Sequence, residues 1–117
     1  MKMVNTISKT LKQRFCLILS LLLIILTVSA AAEEKNEVET WLVLAREAYE
    51  QEDYKKAAEY YQLSADQNDP DGLECLGYLY LEGLGVEQSR DRAMELYRLA
   101  AALGSEEAQR QLAILEN

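Results

Sequence analysis

The nonapeptide AMELYRLAA at residues 93–101 repeats the nonapeptide AAEYYQLSA at residues 57–65, which lies 36 positions upstream. Alanine, glutamate, tyrosine, leucine and alanine recur at the same places in both segments. Self-similarity at a period of this size is typical of arrays in which helical units stack on one another. This internal repeat therefore predicts an array of stacked helical units.

Upstream of these segments the period is shorter by four residues. Trp41 and Ala45 align with Leu73 and Gly77 at an offset of 32 rather than 36. The four extra residues lie in the stretch LEGLGVEQSRDRA, residues 81–93, between one predicted helix and the next.

Two glycines ahead of a helical segment are also found in phosphate-binding loops. This stretch, however, has no GK[ST] sequence, no preceding strand and no acidic residue placed for a ribose. We therefore predict a lengthened turn between two helices. Gly83 ends a helix in this turn, Gly85 adopts a backbone conformation that other residues resist, and Val86 packs into the core.

Residues 36–117 combine a single proline with long runs of helix-forming residues and no strand-like alternation, which predicts an all-α fold. The predicted helices cover residues 37–50, 54–67, 70–82, 89–103 and 105–116. The predicted helix-starting signals are Asn36 with Glu39 as a capping box, Asp69 before Pro70, Ser89 and Ser105, and the helix-ending glycines are Gly83 and Gly104.

The spacing of the aromatic residues, leucines and alanines resembles that of two related repeat families. The first unit resembles a tetratricopeptide (TPR) repeat at Trp41, Leu44, Ala45, Ala48, Ala57 and Tyr61. The second resembles a Sel-one-like repeat (SLR), whose longer turn carries G-x-G-V and whose second helix ends in A-A-x-x-G. The matching residues are Leu73, Leu76, Gly77, Tyr80, Gly83, Gly85, Val86, Ala93, Tyr97, Ala100, Ala101, Gly104, Ala108 and Leu112.

This resemblance implies a short right-handed α-solenoid of about two and a half helical hairpins across nearly all of residues 38–116. Alanines at 57, 93 and 101 are expected to let helices approach closely, while the tyrosines and leucines fill the space around them. Ser64 stands where the family has an alanine, and Asn68 where it has a glycine. We therefore expect the first unit to be an atypical, cap-like repeat.

The first 32 residues differ in composition from the rest of the chain. Four basic residues and no acidic ones precede the apolar run FCLILSLLLIILTVSAAA at 15–32. This order is typical of a secretory signal peptide, so we predict cleavage after Ala32 or Ala30. Residues 33–117 would then form a periplasmic or secreted repeat domain without membrane contact. The alternative is an uncleaved anchor, because a run of about 20 apolar residues can span a bilayer.

After Ala32 the chain carries 8 basic and 20 acidic residues, a net charge of −12. This charge argues against nucleic acid or anionic lipid as a partner. The sequence has no histidine, and residues 33–117 contain one cysteine, Cys75. A histidine-based triad, a His or Cys metal cluster and an intramolecular disulfide are therefore excluded, and we predict no metal or cofactor. We expect Cys75 to be buried.

The resemblance places a partner-binding surface on the first helix of each hairpin, which forms the concave wall in TPR-like arrays. Aromatic side chains ringed by charge are typical of surfaces that bind another protein. Alternatively, these side chains pack on a second copy in a homodimer, or are scattered surface residues. The predicted partner-binding residues are Leu42, Arg46, Tyr49, Glu74, Tyr78, Leu81, Arg110 and Ile114, with Glu39, Asp71 and Glu107 on the same face.

We predict an interaction module rather than an enzyme, because two hairpins are too thin to build the deep cleft that a catalytic carboxylate pair requires. The resemblance implies an exported adaptor or regulator of a bacterial envelope assembly. Two alternatives stay open. One is an immunity or inhibitor protein whose acidic surface neutralises a toxic enzyme with a basic cleft, and the other is a signal-anchored assembly factor.

Overall fold

The computed structural model describes residues 2–117, apart from the side chains of residues 2–8, 31, 32 and 34. Met1 and the side chains of Ala31 and Ala32, at the predicted cleavage site, lie outside the described residues. The described chain is helical throughout and contains no strand, which confirms the predicted all-α repeat fold. Its helices are α1 (Lys2–Glu50), α2 (Tyr54–Asp66), α3 (Pro70–Glu82), α4 (Arg90–Ala102) and α5 (Glu106–Glu116).

The chain divides into two compact units, Met1–Lys35 and Asn36–Asn117. The first unit holds the apolar run, and its leucine and isoleucine side chains between residues 17 and 26 are exposed. Of the helices in the described part of the chain, α1 alone is long and apolar enough to cross a membrane, with a mean hydropathy of 2.7 over its apolar window. A signal sequence near an N-terminus has the same properties, so both the signal peptide and the anchor agree with this helix.

The predicted helix start at Asn36 is wrong. α1 continues through this position, and the backbone carbonyl of Asn36 accepts a hydrogen bond from Thr40 Oγ1 at 2.8 Å, which is an interior helical contact. The sequence AAAEEK at residues 30–35 consists of strong helix formers, so nothing before Asn36 stops the helix. Asn36 with Glu39 therefore forms no capping box.

The other predicted helix starts are confirmed, and every predicted end within residues 50–117 agrees to within one residue. The Asp69 carboxylate accepts a hydrogen bond from the backbone N–H of Gly72 at 2.9 Å. Ser89 and Ser105 likewise accept from backbone N–H groups in the first turns of α4 and α5. Asp53 caps α2 in the same way, a role that the sequence analysis did not assign. These contacts satisfy N–H groups that have no partner within the helix.

The glycine-containing stretch is the predicted long turn. It spans seven residues, 83–89, against three, 51–53, in the first hairpin, which accounts for the four extra residues. Gly83 and Gly85 have φ values of 69° and 71°, and Val86 packs against the core as predicted. A Cβ atom on Gly85 would lie 2.2 Å from the carbonyl oxygen of Tyr54. The turn therefore packs directly on the first residue of α2, where only glycine fits.

The core of residues 36–117 is built on small side chains. Eight of the fourteen buried hydrophobic residues are alanines, so the helix backbones pack closely. Leu76, Leu79 and Tyr97 are the largest hydrophobic side chains that are fully buried. The sequence analysis assigned Ala101 to this core, but Ala100 is fully buried and Ala101 is only partly buried. The two positions are one residue, or about 100°, apart on the helix.

Ser64 makes the first repeat atypical, as expected. It is fully buried, and its hydroxyl donates a hydrogen bond to Asp69 Oδ2 at 3.0 Å. A Cβ atom on Gly72 would lie 2.4 Å from Ser64 Oγ and 2.6 Å from Ser64 Cβ, so the serine requires a glycine opposite it. At the positions 36 residues downstream, the corresponding pair is Ala100 and Ala108, both fully buried. One repeat thus uses serine with glycine where the other uses alanine with alanine.

This pairing predicts that Gly72→Ala destabilises the fold by about 2 kcal/mol through overpacking against Ser64. Adding Ser64→Ala should restore part of this loss, less than about 1 kcal/mol, because it removes the contact with Ser64 Oγ but leaves those with the Cβ of residue 64 and the backbone nitrogen of Ala65. Both values come from a double-mutant cycle of urea unfolding monitored by the fluorescence of Trp41, the single tryptophan. Additive effects of the two substitutions would show that the residues are not coupled.

Candidate protein-binding site

A groove with a volume of about 280 Å³ opens among the helices of residues 36–117. The first helix of each hairpin contributes to it, and two side chains come from the second helices α2 and α4. The lining residues are Tyr49 from α1, Tyr61 from α2, Glu74, Cys75, Tyr78 and Leu79 from α3, Tyr97 from α4, and Glu107 and Gln111 from α5.

Helical spacing brings these side chains together. Glu74, Cys75 and Tyr78 lie at i, i+1 and i+4 on α3, so they share one face of that helix. Glu107 and Gln111 are four residues apart on α5, and Gln111 Nε2 donates to Glu107 Oε1 at 2.8 Å. Two neighbouring helices therefore each present a carboxylate and a second polar or aromatic group to the same groove.

Four tyrosines give the groove its aromatic character. Tyr61 and Tyr97 are 7% and 1% exposed, whereas Tyr78 is 43% exposed. Tyr49 makes an edge-to-face contact with Tyr54, with ring centroids 5.2 Å apart. The pKa of Tyr78 is raised, with a hydrogen bond to Tyr49 as the largest cause. Two tyrosines are thus anchored in the core, and the other two, Tyr49 on α1 and Tyr78 on α3, are more exposed.

Both carboxylates are oriented by hydrogen bonds. Ser105 Oγ donates a hydrogen bond to Glu74 Oε2 at 2.7 Å. Ser105 Oγ also caps α5, because it accepts a hydrogen bond from the N–H of Ala108. Glu107 accepts from Gln111 and from Arg110, whose Nε lies 2.9 Å from Oε2. Both hydrogen bonds lower the pKa of Glu107, and the one from Gln111 has the larger effect. Glu107 is therefore ionised at neutral pH and held in position.

Cys75, Tyr61 and Tyr97, which also line the groove, are neutral at pH 7. Burial raises the pKa of Cys75 to about 11, although a hydrogen bond with Tyr61 opposes this effect. Burial also raises the pKa of Tyr97 to about 12, and the nearby charge of Glu74 adds to the shift. Burial is also the main cause of the raised pKa of Tyr61. Cys75 is only partly buried, contrary to expectation, because its side chain forms part of the groove wall.

Three of the eight predicted partner-binding residues line the groove, namely Tyr49, Glu74 and Tyr78, and Glu107 from the same predicted face joins them. The other five lie elsewhere. Leu42 and Leu81 are half-buried against the core, Arg46 and Arg110 are exposed, and Ile114 is 67% exposed on α5.

Sequence reasoning missed five lining residues: Tyr61, Cys75, Leu79, Tyr97 and Gln111. Tyr61 and Tyr97 were assigned to the core, where they are indeed buried, and they form the floor of the groove from there. For Gln111 the signal was its spacing of four residues from Glu107. Among the described residues, no group of three Cys, Asp or Glu side chains is arranged to hold a metal ion.

The raised pKa of Cys75 predicts a loss of stability at alkaline pH. Between pH 9 and about 11 the thiol ionises in the unfolded chain, where its pKa is 9.0, but stays protonated in the folded one. The unfolded state binds fewer protons in this window, so stability is complete below pH 9 and falls as the pH rises. Urea unfolding from neutral pH to pH 11, followed by Trp41 fluorescence, should show a shallower fall for Cys75→Ala. Identical slopes for both proteins would contradict the assignment.

One curated relative is a protein from Mus musculus named DAP3-binding cell death enhancer 1. It is 35% identical to this chain over 65 residues, which is 56% of this chain. The chain spans only 13% of the length of that relative. The likeness therefore concerns a segment of a much longer protein.

The family model described as Sel1 repeat matches this chain at residues 47–69 and 76–105. The first segment runs from the end of α1 through α2 to Asp69, and the second includes the glycine turn, α4 and Ser105. Sel1 repeats generally mediate protein–protein interaction and are typically not enzymes. The repeat pattern, the helical hairpins and these matches show that the chain carries Sel1-like repeats at residues 47–69 and 76–105.

Proposed function

We propose that this protein is an exported module that binds another protein in the tyrosine-lined groove, and that it serves as an adaptor or regulator of an assembly in the bacterial envelope. The observation that carries this proposal is the groove itself, which combines three exposed or half-exposed polar and aromatic side chains, Tyr49, Tyr78 and Glu107, with a buried floor.

The groove has the properties of a recognition surface. Tyr78 offers a large ring, 43% exposed, at low conformational cost, because tyrosine has few rotatable bonds. Tyrosine is also enriched among the residues that contribute most to binding at protein interfaces. A volume of about 280 Å³ accommodates a protruding side chain of the partner rather than a large ligand.

The carboxylates favour binding over catalysis. A general acid near neutral pH requires a raised pKa, but hydrogen bonds from Gln111 and Arg110 lower the pKa of Glu107. Glu74 is engaged by Ser105. The names and properties of the relatives agree with this view, since the mouse relative is named for binding another protein.

Export is supported by the order of basic, apolar and small residues in the first 32 positions and by the exposed apolar face of α1 in Met1–Lys35. Such a surface is unfavourable in water unless a membrane or the export machinery receives it. Cleavage after Ala30 or Ala32 would remove it and leave the acidic repeat domain in the periplasm.

The groove predicts that Tyr78→Ala abolishes capture of the partner. The full chain with a C-terminal tag is used as bait in solubilised envelope extract, and bound proteins are quantified by mass spectrometry. A stoichiometric partner should be lost with Tyr78→Ala and retained with Leu99→Ala, which removes an apolar side chain that is 49% exposed outside the groove. Because Tyr78 is 43% exposed, its replacement should change stability by less than about 1 kcal/mol.

Two results would contradict the proposal. Equal capture by Tyr78→Ala and the unchanged protein would place the binding surface elsewhere. A partner lost equally with Leu99→Ala would show that binding does not depend on the groove.

The export proposal predicts the mass of the mature protein. In cells that produce the full chain, intact-mass analysis of the periplasmic fraction should give a product beginning at Ala31 or Glu33 instead of the 13.3 kDa precursor. Replacing Ala30 and Ala32 with leucine should block processing, since signal peptidase requires small residues. Full-length protein confined to the membrane fraction would establish the anchor instead.

A further inference from the structure

We infer that the groove selects a partner segment that inserts a lysine or arginine side chain among its tyrosine rings, with the positive charge against Glu74 and Glu107. This inference rests on the proposed function and adds the chemistry of the occupant.

The first argument is the charge of the lining. Of the nine lining residues, Glu74 and Glu107 are the acidic ones, and none is basic. The remaining ionisable side chains are tyrosines and Cys75, which are protonated at neutral pH. An acidic occupant would bring a like charge to these carboxylates, and an uncharged one would displace water from them without adding an opposite charge. A cation replaces that water with an opposite charge.

The second argument is that both carboxylates act at one place. Glu74 on α3 and Glu107 on α5 both raise the pKa of Tyr97, whose ring lies at the floor of the groove. Ser105, which immediately precedes α5, donates to Glu74 Oε2 at 2.7 Å, so Glu74 lies beside the first turn of the helix that carries Glu107. Two carboxylates lining one groove at this point favour a cation between them. Ser105 and Gln111 already orient the carboxylates, so binding requires little further ordering of them.

The third argument is the apolar part of the groove. Lysine and arginine carry long aliphatic stems that pack on apolar surface while the charged head finds a polar partner. The ring of Tyr78, which is 43% exposed, and that of Tyr49 provide that surface above the buried floor. The face of a tyrosine ring also attracts a cation through its electron distribution. Stem and head thus each find a matching part of the groove.

The arginine that already pairs with one of these carboxylates does not exclude a second cation. Arg110 pairs with Glu107, and their side chains are 64% and 42% exposed. An exposed pair of this kind contributes little, so Arg110 can release Glu107 to the incoming charge.

A selection experiment tests this inference. The full chain, held in nonionic detergent micelles, is presented with a display library of short random linear peptides at physiological salt. Selected peptides should share a lysine or arginine beside an apolar residue. Calorimetric titration of the best peptide should show about tenfold weaker binding when its basic residue is replaced by norleucine, which keeps the stem and removes the charge.

Three variants separate a local site from the general acidity of the protein. Glu74→Gln with Glu107→Gln should weaken the selected peptide by about tenfold. Glu59→Gln with Glu87→Gln changes the net charge equally at exposed positions outside the groove, and should change affinity by less than about twofold. Arg110→Gln should tighten binding, because it removes a competing cation from Glu107. Circular dichroism confirms that each variant is folded.

The possible failures are distinguishable. If selected peptides are uncharged or acidic yet still require Tyr78, the groove binds peptides but the inference about a cation is wrong. Equal weakening by the two glutamate pairs, or weaker binding by Arg110→Gln, also overturns the inference. If no selected peptide depends on Tyr78, the groove is not a binding site and the proposed function fails as well.

Discussion

The helix backbones of residues 36–117 approach one another closely, and this approach determines where large side chains can lie. A Cβ atom on Gly85 would lie 2.2 Å from the carbonyl oxygen of Tyr54, and one on Gly72 would overlap Ser64. Alanines occupy most of the other buried positions. Where helix backbones approach this closely only small side chains fit, so the large residues lie where the helices diverge. The tyrosine-lined groove is such a place, so the packing that stabilises the array also produces its candidate binding surface.

Local signals explain why so much of the fold was predictable. The starts of α3, α4 and α5 depend on a single side chain that accepts a backbone hydrogen bond, and the turn after α3 depends on glycines with positive φ values. Asn36 fails as a start because a cap works only where the preceding residues leave the helix, and here they favour it. The repeat pattern also does not predict which of Ala100 and Ala101 is buried, since both match the family. The rotation of α4 against α3 and α5 buries Ala100.

The sequence predicted residues of the candidate site that lie on the first helix of a hairpin, but not those on the second helices. Tyr49, Glu74 and Tyr78 lie on first helices, where a surface stripe can be read from the repeat. Tyr61 and Tyr97 come from second helices, and a periodic pattern assigns each residue either to the core or to the surface. Tyr61 and Tyr97 are core residues that also line the groove. For Tyr97 the reason is Gly77, which lets the tyrosine ring pack against α3, where a Cβ atom on residue 77 would lie 3.2 Å from the ring. The absence of one side chain on α3 therefore places another at the floor of the groove.

Equivalent positions in the two repeats use their capping residues differently. Asp69 caps α3, and its carboxylate is also satisfied by the hydroxyl of Ser64 within the same repeat. Its counterpart Ser105 caps α5, but it donates its own proton to Glu74 in the groove. The hydroxyl thus couples the start of α5 to the position of a carboxylate on α3. Since α5 also supplies Glu107, the negative charge of the groove is assembled where two repeats meet, and the stacking of the repeats fixes its geometry.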